Sequence, residues 1–413
     1  MTNNLPPNLP RLKAGWSWVK LGEVAKSYKG KKPKSQSTEK NEKFSVPYVD
    51  IKAFEKRGID NYTDGIKCTL CEPEDVLIVW DGARCGLVGR GIKGAIGSTL
   101  AKIKSEAHID PFLFYFIQQY YKRINLNPKG VGIPHIEPNS FWGLNIPLPP
   151  LPEQKKIVEK IEELFSGLDS GVASLKKAKE QIKLYRQSVL SSAFNGKLTA
   201  GHPELVSGSN GLPEGWKWVK LGELGKIGTG VTPLRSKQEY YTNGTIPWLT
   251  SSVVNEMFVY SANEFITKKA KEEYRLKVYP KDTLLVALYG EGKTRGKCTQ
   301  LMFESTINQA MAAIVLDKKY IGSLKFVKWF LIKNYEDMRM LSSGGVQPNL
   351  NLTLVKNTNI PFPSLLQQTQ IVEEIEKRFS EVDNLEKAID DSLEKSAALR
   401  QSILKQAFEG KLV

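Results

Sequence analysis

Three pairs of glycine-rich loops carry most of the residues in this 413-residue chain that could do chemistry. The first pair is Lys29-Gly-Lys-Lys-Pro-Lys34, with Lys29, Lys31, Lys32 and Lys34, and the stretch from Gly228 to Lys237, with Arg235 and Lys237. The second runs from Asp81 through Arg84 to Arg90, with Lys93 just beyond. Its counterpart runs from Tyr289 through Glu291, Lys293 and Arg295 to Lys297. The third is Gly130-Val-Gly-Ile-Pro-His135 and Gly344-Gly-Val-Gln-Pro-Asn349, ending in His135 and in Gln347 and Asn349. Glycine lets a backbone approach a phosphate closely. Arginine or lysine can read guanine O6 and N7, an acid such as Asp81 or Glu291 can accept from a cytosine amine, and His, Gln and Asn can meet base edges. The chemistry these residue types suggest is recognition of a polyanion, not bond making.

Residues for a reacting centre are sparse. Cys68-Thr-Leu-Cys71 is a single C-x-x-C, and zinc would need two more ligands. Cys85 and His108 are available in sequence, but their spacing matches no common site, so core or surface thiols are the better reading. Gly86-x-x-Gly89-x-Gly91 lacks the strand–helix setting of a nucleotide loop. There is no Walker A sequence. The Pro-Pro pairs, Pro6-Pro7 and Pro149-Pro150, lack the Asn/Asp and aromatic neighbours with which an amino-methyltransferase grips a flipped base. No paired-carboxylate nuclease pattern stands out, and three histidines leave little for general-base work. Neither catalytic residues, nor a metal site, nor a cofactor of its own is expected.

The elements that must position the loops are written twice. Residues 16–24, WSWVKLGEV, match 216–224, WKWVKLGEL, and the offset of 200 runs on to Pro47 and Pro247. Residues 147–199 then match 361–413 at an offset of 214, with 22 identities in 53 gapless positions, a level chance cannot produce. Shared segments include P-x-P-x-L-x-x-Q, I-V-E-x-I-E, F-S-x-x-D, R-Q-S-x-L and A-F-x-G-K-L. The middles diverge, although Asp75-Val-Leu-Ile78 and Asp282-Thr-Leu-Leu285 look equivalent.

Each copy is thus a variable globular part followed by a helical tail. Ile157, Ile161, Leu164, Leu168, Val172, Leu175 and Ile182 recur at spacings of mostly three and four, as do Ile371, Ile375, Phe379, Val382, Leu385 and Ile389. Such a seam wants a helical partner, and the pattern leaves parallel or antiparallel pairing open. About 42 residues at 1.5 Å give a rod of roughly 60 Å. Gly196 and Gly410 sit where C-caps belong, and Gly167 and Gly171 weaken the first helix enough to admit a kink. In the globular parts, 76–80 and 283–288 read as buried strands, and 111–125 and 323–339 as amphipathic helices. The domain reading is a first head over 1–150, a tail over 151–199, a linker over 200–215, a second head over 216–364 and a second tail over 365–413.

Charge follows the same division. The net +15 comes from +6 over residues 16–150 and +9 over 216–366, while the tails carry +3 and −3 and cancel as a pair. Two basic heads on a neutral rod point to nucleic acid. No apolar run approaches the ~18 residues of a membrane span. The first residues lack a signal-peptide core, and four cysteines make no disulfide scaffold. A cytoplasmic protein without membrane contact is expected. From the residues alone, a stand-alone DNA-binding regulator remains open; a self-contained methyltransferase or nuclease is disfavoured by the missing motifs.

Two copies of W-x-W-V-K-L-G-E, then P-L-P-P-L-P-E-Q-x-x-I-V and a long helix ending A-F-x-G-K-L, resemble the specificity (S) subunit of Type I restriction-modification systems. The resemblance covers residues 12–413. The second copy departs where Leu366 and Gln367 replace Pro152 and Glu153. The resemblance implies an α+β chain with an internal pseudo-two-fold repeat: two target recognition domains, each reading half of an asymmetric bipartite site in double-stranded DNA, and two helices pairing as an antiparallel coiled coil. It implies that the helices set the spacing and dock two methyltransferase (modification) subunits, with restriction subunits in the same assembly. S-adenosylmethionine, ATP and magnesium would act in those partners, and this chain would be non-catalytic.

Overall fold

The computed structural model describes residues 9–105, 109–126, 134–198, 212–290, 294–341 and 349–413. They form two compact units, one of residues 1–176 with 390–413 and one of residues 177–389. The division differs from the head, tail and linker segments expected from sequence, because each unit takes in a stretch of both tails. Residues 200–211 of the expected linker lie outside the described residues.

In the first unit, four antiparallel strands run in the order Ala25–Lys29, Leu100–Ser105, Val76–Val79, Val88–Arg90. The strand Val76–Val79 is buried throughout, and the two-residue side-chain period explains its uninterrupted apolar run. Val76 and Ile78 pack with Phe112, Leu113, Phe116 and Ile117 of the helix Asp110–Leu126. Leu77 and Val79 face the other way, against Val49, Phe54, Cys71 and Ile96. These belong to a second sheet, in which Val46–Val49 pairs in parallel with Gly94–Ile96, and to the short helix Ile51–Lys56. Both faces are covered, so neither can be polar.

The second unit repeats the plan. Leu284 and Val286 pack with the helix Leu324–Lys333, and Leu285 and Ala287 with Leu249, Val254 and Ile307. Ile246–Leu249 pairs in parallel with Thr306–Ile307. The helix expected over 323–339 is two: Asn334, at φ −80° and ψ 6°, closes Leu324–Lys333, and Tyr335–Leu341 begins anew. Hydropathy alone did not mark that break, because apolar residues continue across it.

The W-x-W-V-K segments close each head. Ser17–Lys20 pairs antiparallel with Asn145–Leu148, and Lys217–Lys220 with Asn359–Phe362, with Trp18 opposite Pro147 and Trp218 opposite Pro361. The opening strand thus holds the segment that leads into the tail.

Both tails are helices of 44 residues, Leu151–Phe194 and Leu365–Phe408. The first runs unbroken through Gly167 and Gly171, where an added Cβ would meet open space. Each ends on a left-handed glycine, Gly196 at φ 72° and Gly410 at φ 69°. The next amide then reaches back to Ser192 O (2.8 Å) or Gln406 O (2.9 Å), closing the carbonyls a helix end leaves open. In the first unit Ile157, Ile161 and Phe165 share a core with Ile403, Leu404, Ala407 and Phe408. In the second, Val189, Leu190, Ala193 and Phe194 share one with Ile371, Val372 and Ile375. Within each unit the start of one tail packs on the end of the other, so the pairing is antiparallel.

The repeated F-S-x-x-D and R-Q-S segments meet in these pairings. In the first unit Arg400 lies over the Phe165 ring, 4.2 Å from its centroid, and bonds Asp169. In the second, Arg186 lies 5.0 Å from the Phe379 centroid and bonds Asp383, with Glu386 at 3.2 Å. Each copy of the repeat supplies the Phe and Asp of one unit and the Arg of the other.

Candidate nucleic-acid interface

In each unit, the described residues of the three loops meet at one edge of the main sheet. The strands Ala25–Lys29 and Val76–Val79 end there and Leu100–Ser105 begins there. The Lys29 ammonium lies 2.8 Å from Asp81. Asp81 forms an isolated antiparallel bridge with His135, and Gly82 N bonds Pro134 O at 2.7 Å. Trp80 N bonds Thr99 O, bringing the start of the next strand against the same loops. Gly86, at φ 90°, must be glycine: a Cβ there would strike Ile124 at 2.7 Å. Asn125 fixes the loop from behind, donating to Ala83 O and Cys85 O.

Arg84 lies on this loop, well exposed, with Glu55 at 2.6 Å. Lys31 donates its backbone N–H to Ile96 O and keeps its side chain exposed, as do Lys32 and Lys34. Arg90 and Lys93 are placed otherwise. Arg90 stacks on Phe114, 4.6 Å from its centroid, and meets Glu162 of the tail at 3.6 Å. Its guanidinium joins head to tail within the unit. Glu162 also accepts from the Tyr115 hydroxyl, whose pKa is pushed up to about 12, first by burial and then by that carboxylate. Lys93 stands by Glu72 at 3.5 Å.

In the second unit the edge is built from the ends of Gly225–Gly228 and Leu284–Ala287 and the start of Met311–Leu316. Leu288 N bonds Ala310 O, and Leu350 N bonds Leu288 O at 3.1 Å, bringing the exposed Asn349 beside Tyr289. Lys297 donates to Asn255 at 2.8 Å. Arg295 is part-buried, and its Nε has no hydrogen-bond partner among the described residues. Arg235 is shaped by aromatic rings, with centroids of Trp248 at 4.8 Å and Tyr241 at 4.9 Å, and it bonds Glu264, which raises its pKa. Lys237 bonds the Tyr240 hydroxyl at 3.2 Å. Glu291, Lys293 and Gln347 lie outside the described residues.

Two side chains at these edges escaped sequence reading. Gln309 is exposed and accepts from Thr232 of the first loop at 2.6 Å. An amide there can bond adenine N6 and N7, but a lone Gln before a strand carries no sequence signal. Asn255 joins a distant turn to Lys297 and becomes a neighbour only through the fold. Of the cysteine pair, Cys71 is buried and donates to Ile92 O at 2.8 Å, and burial raises its pKa. Among the described residues no helix is long and apolar enough to cross a membrane.

The two edges share a framework and differ in nearly every side chain they present: Lys29, Asp81, Arg84 and His135 on one, Tyr289, Arg295, Lys297, Gln309 and Asn349 on the other. Backbone amides, cations and amides at a sheet edge suit phosphate and base-edge contacts.

Comparison with known proteins agrees with this geometry. A family model described as the Type I restriction modification DNA specificity domain matches residues 13–183 and again 213–395. The chain is 26% identical to the Type I restriction enzyme MjaVIII specificity subunit of Methanocaldococcus jannaschii, over 97% of this chain and 94% of that one. It is 26% identical to the EcoBI specificity subunit of Escherichia coli, over 96% and 86%. Among solved structures, a chain from work on complex assembly and conformational transition of the type I R-M system superposes with a TM-score of 0.73 at 22% identity, covering 98% of this chain and all of that one. The HsdS subunit of Thermoanaerobacter tengcongensis superposes with a TM-score of 0.60 at 21% identity, covering 98% and 99%. Matched in both copies across most of its length, the chain belongs to the family of Type I restriction-modification specificity subunits, the DNA sequence-recognition subunits of those enzymes.

Proposed function

We propose that each three-loop edge reads one half of a bipartite, asymmetric site in double-stranded DNA. The carrying observation is the meeting of the described polar residues of these loops at the same sheet edge in both units, on one framework but with unlike side chains. Arg84 and Arg295 are assigned to base edges, with His135, Tyr289, Gln309 and Asn349 beside them. Lys29, Lys31, Lys32, Lys34 and Lys297 are assigned to phosphates, which give most of the affinity and its salt dependence. Arg235 and Lys237 flank the second edge, and Glu291, Lys293 and Gln347 belong to its loops by sequence. The tail helices act as the spacer and dock two modification subunits, which restriction subunits join. The chain itself performs no reaction; S-adenosylmethionine, ATP and magnesium serve the partner subunits, and the assembly works in the cytoplasm.

The test is genome-wide mapping of modified adenines in cells with and without this gene. Loss of one split, asymmetric modified sequence on deletion is expected. An unchanged modification map, or tight selective DNA binding by the isolated chain with no partner, would overturn the reading in favour of a stand-alone regulator.

A further inference from the structure

Each three-loop edge has a fourth element to which the loops are fastened. In the first unit it is the turn 97–99, between the strands Gly94–Ile96 and Leu100–Ser105. In the second it is the turn 308–310, between Thr306–Ile307 and Met311–Leu316. Both turns are held by the same bonds. Gly97 N donates to Val49 O and Asn308 N to Leu249 O, each at 2.9 Å. The first loop crosses so closely that only glycine fits: a Cβ on Gly30 would lie 2.1 Å from Gly97 O, and one on Gly230 1.6 Å from Ile307 O. The second loop donates to the last residue of the turn, Trp80 N to Thr99 O and Leu288 N to Ala310 O, both at 2.8 Å. The third loop is tied to that same donor residue, Ile136 N to Trp80 O and Leu350 N to Leu288 O.

Matched bonding on every side fixes the backbone of the middle residue of each turn. That residue is exposed in both, Ser98 in one and Gln309 in the other, while Gly97 and Asn308 before them are buried. Core packing does not choose an exposed side chain, and these two differ where the backbone around them agrees. The Gln309 amide is also oriented. Thr232 of the first loop donates its hydroxyl to Gln309 Oε1 at 2.6 Å, which turns Nε2 the other way. The oxygen keeps a second lone pair, so the planar amide presents an acceptor beside a donor. Adenine is the base whose major-groove edge offers the complement, N6–H beside N7. In the first copy Lys32 stands at the position of Thr232 by the offset of 200. The first edge therefore presents a cation and a hydroxyl at this place, not an oriented amide.

We propose that Ser98 and Gln309 are specificity-determining positions, one for each half-site, and that Gln309, held by Thr232, selects an adenine in the half-site of the second unit. Thr232 is its positioning residue. The inference rests on the reading that each edge meets half of a bipartite DNA site, and adds the base and the residues that select it.

The experiment co-expresses the full chain with the modification subunit and maps which sequences of a randomised DNA pool become modified. Gln309→Ala should cut discrimination at one adenine of one half-site by roughly 10- to 100-fold and leave the other positions as they are. Gln309→Glu accepts but cannot donate, and should turn that position from adenine toward cytosine, whose N4–H donates. Thr232→Val should keep a purine there but lose the preference for adenine over guanine, because the freed amide can turn its N–H groups to O6 and N7; Thr232→Ser should restore it. Ser98→Ala should alter the other half-site alone. Both turn residues are exposed, so thermal unfolding of these variants should match that of the unaltered chain; if a Gln309 variant unfolds, the Thr232 pair carries the test. Unchanged preference in folded Gln309→Ala, or a change at a position not occupied by adenine, would overturn this inference and leave the half-site reading intact. Changes from Ser98 and Gln309 variants falling in the same half-site would overturn the reading of one half-site by each edge.

Discussion

Replacing Lys328 by Met should stabilise the second unit near neutral pH, and the gain should vanish in alkali. The Lys328 side chain lies between the helix Leu324–Lys333 and the strand Cys298–Leu301, with the residue only 3% exposed. Its ammonium is 3.3 Å from the Phe258 ring centroid and 3.3 Å from Gln300 Oε1. Burial, ahead of any charge, pulls its pKa down to about 8. A lysine lowered in the folded state favours the neutral amine. Stability is therefore fullest above ~10.5, the value for an exposed lysine, and is progressively lost as pH falls toward 8. A gap of about 2.5 units at ~1.4 kcal/mol per unit sets an upper bound of roughly 3.5 kcal/mol. The neighbouring Cys298 thiol, pushed up to about 12 by burial, runs the other way: its contribution is complete below ~9 and fades above it. That effect is present in both proteins and largely drops out of their difference. Urea unfolding at a series of pH values from 7 to 10.5, followed by tryptophan fluorescence, gives the difference directly. An advantage for Lys328→Met of up to ~3.5 kcal/mol at pH 7, shrinking toward pH 10.5, is expected. A difference that does not vary with pH, or a less stable Met variant throughout, would show that the ammonium is not desolvated as described.

The tail clamps should be separable by unit. Arg186→Ala removes a stacked guanidinium and an ion pair from the second unit and Arg400→Ala the same from the first, each costing about 1–3 kcal/mol; calorimetry should show each variant lowering the transition of its own unit, and a double-mutant cycle with Asp383→Ala or Asp169→Ala should give positive coupling. Gly167→Ala and Gly171→Ala should each stabilise the first unit by about 0.5–1 kcal/mol, since the helix is unbroken there and the added methyl meets nothing; a lowered melting temperature would mean that the helix kinks at these positions. Arg84→Ala or Arg295→Ala should relax the sequence preference of the assembled enzyme at one position of one half-site, by about 1–3 kcal/mol, read by selection from a randomised DNA pool; unaltered preference in both would move base reading to other side chains.

Much of the architecture was legible because the chain repeats it. Offsets of 200 and 214 located the repeated W-x-W-V-K segments and the tails, and glycines at 196 and 410 marked the helix ends, whereas the pairing of those segments into closing ribbons carried no sequence signal. The buried strands declared themselves by uninterrupted apolar runs, which only two covered faces permit. What the sequence withheld were partnerships across the repeat. F-S-x-x-D and R-Q-S were visible as repeated words, but only antiparallel packing reveals that the arginine of one copy closes on the aspartate of the other. At the three-loop edges, loop composition picked out segments that the fold brings together, but it did not sort the individual cations. Arg84 and Arg90 look equivalent in sequence, yet one stays on the loop and the other is drawn to Phe114 and Glu162. Gln309 and Asn255 gain their positions from strands far away in the chain. Lys328 reads as an ordinary polar residue on an amphipathic helix, since its burial depends on a strand that contributes Cys298 and Gln300.

The unit boundaries bear on how the polypeptide matures on the ribosome. Residues 177–389 are one continuous stretch, so the second unit can finish as soon as that stretch has emerged. The first unit cannot: Phe112, Phe116, Ile157 and Ile161 wait for Ile403, Leu404, Ala407 and Phe408, which are translated more than two hundred residues later. The half that is synthesised first is the half completed last, and through that interval the apolar face that Ile403, Leu404, Ala407 and Phe408 will cover stays open.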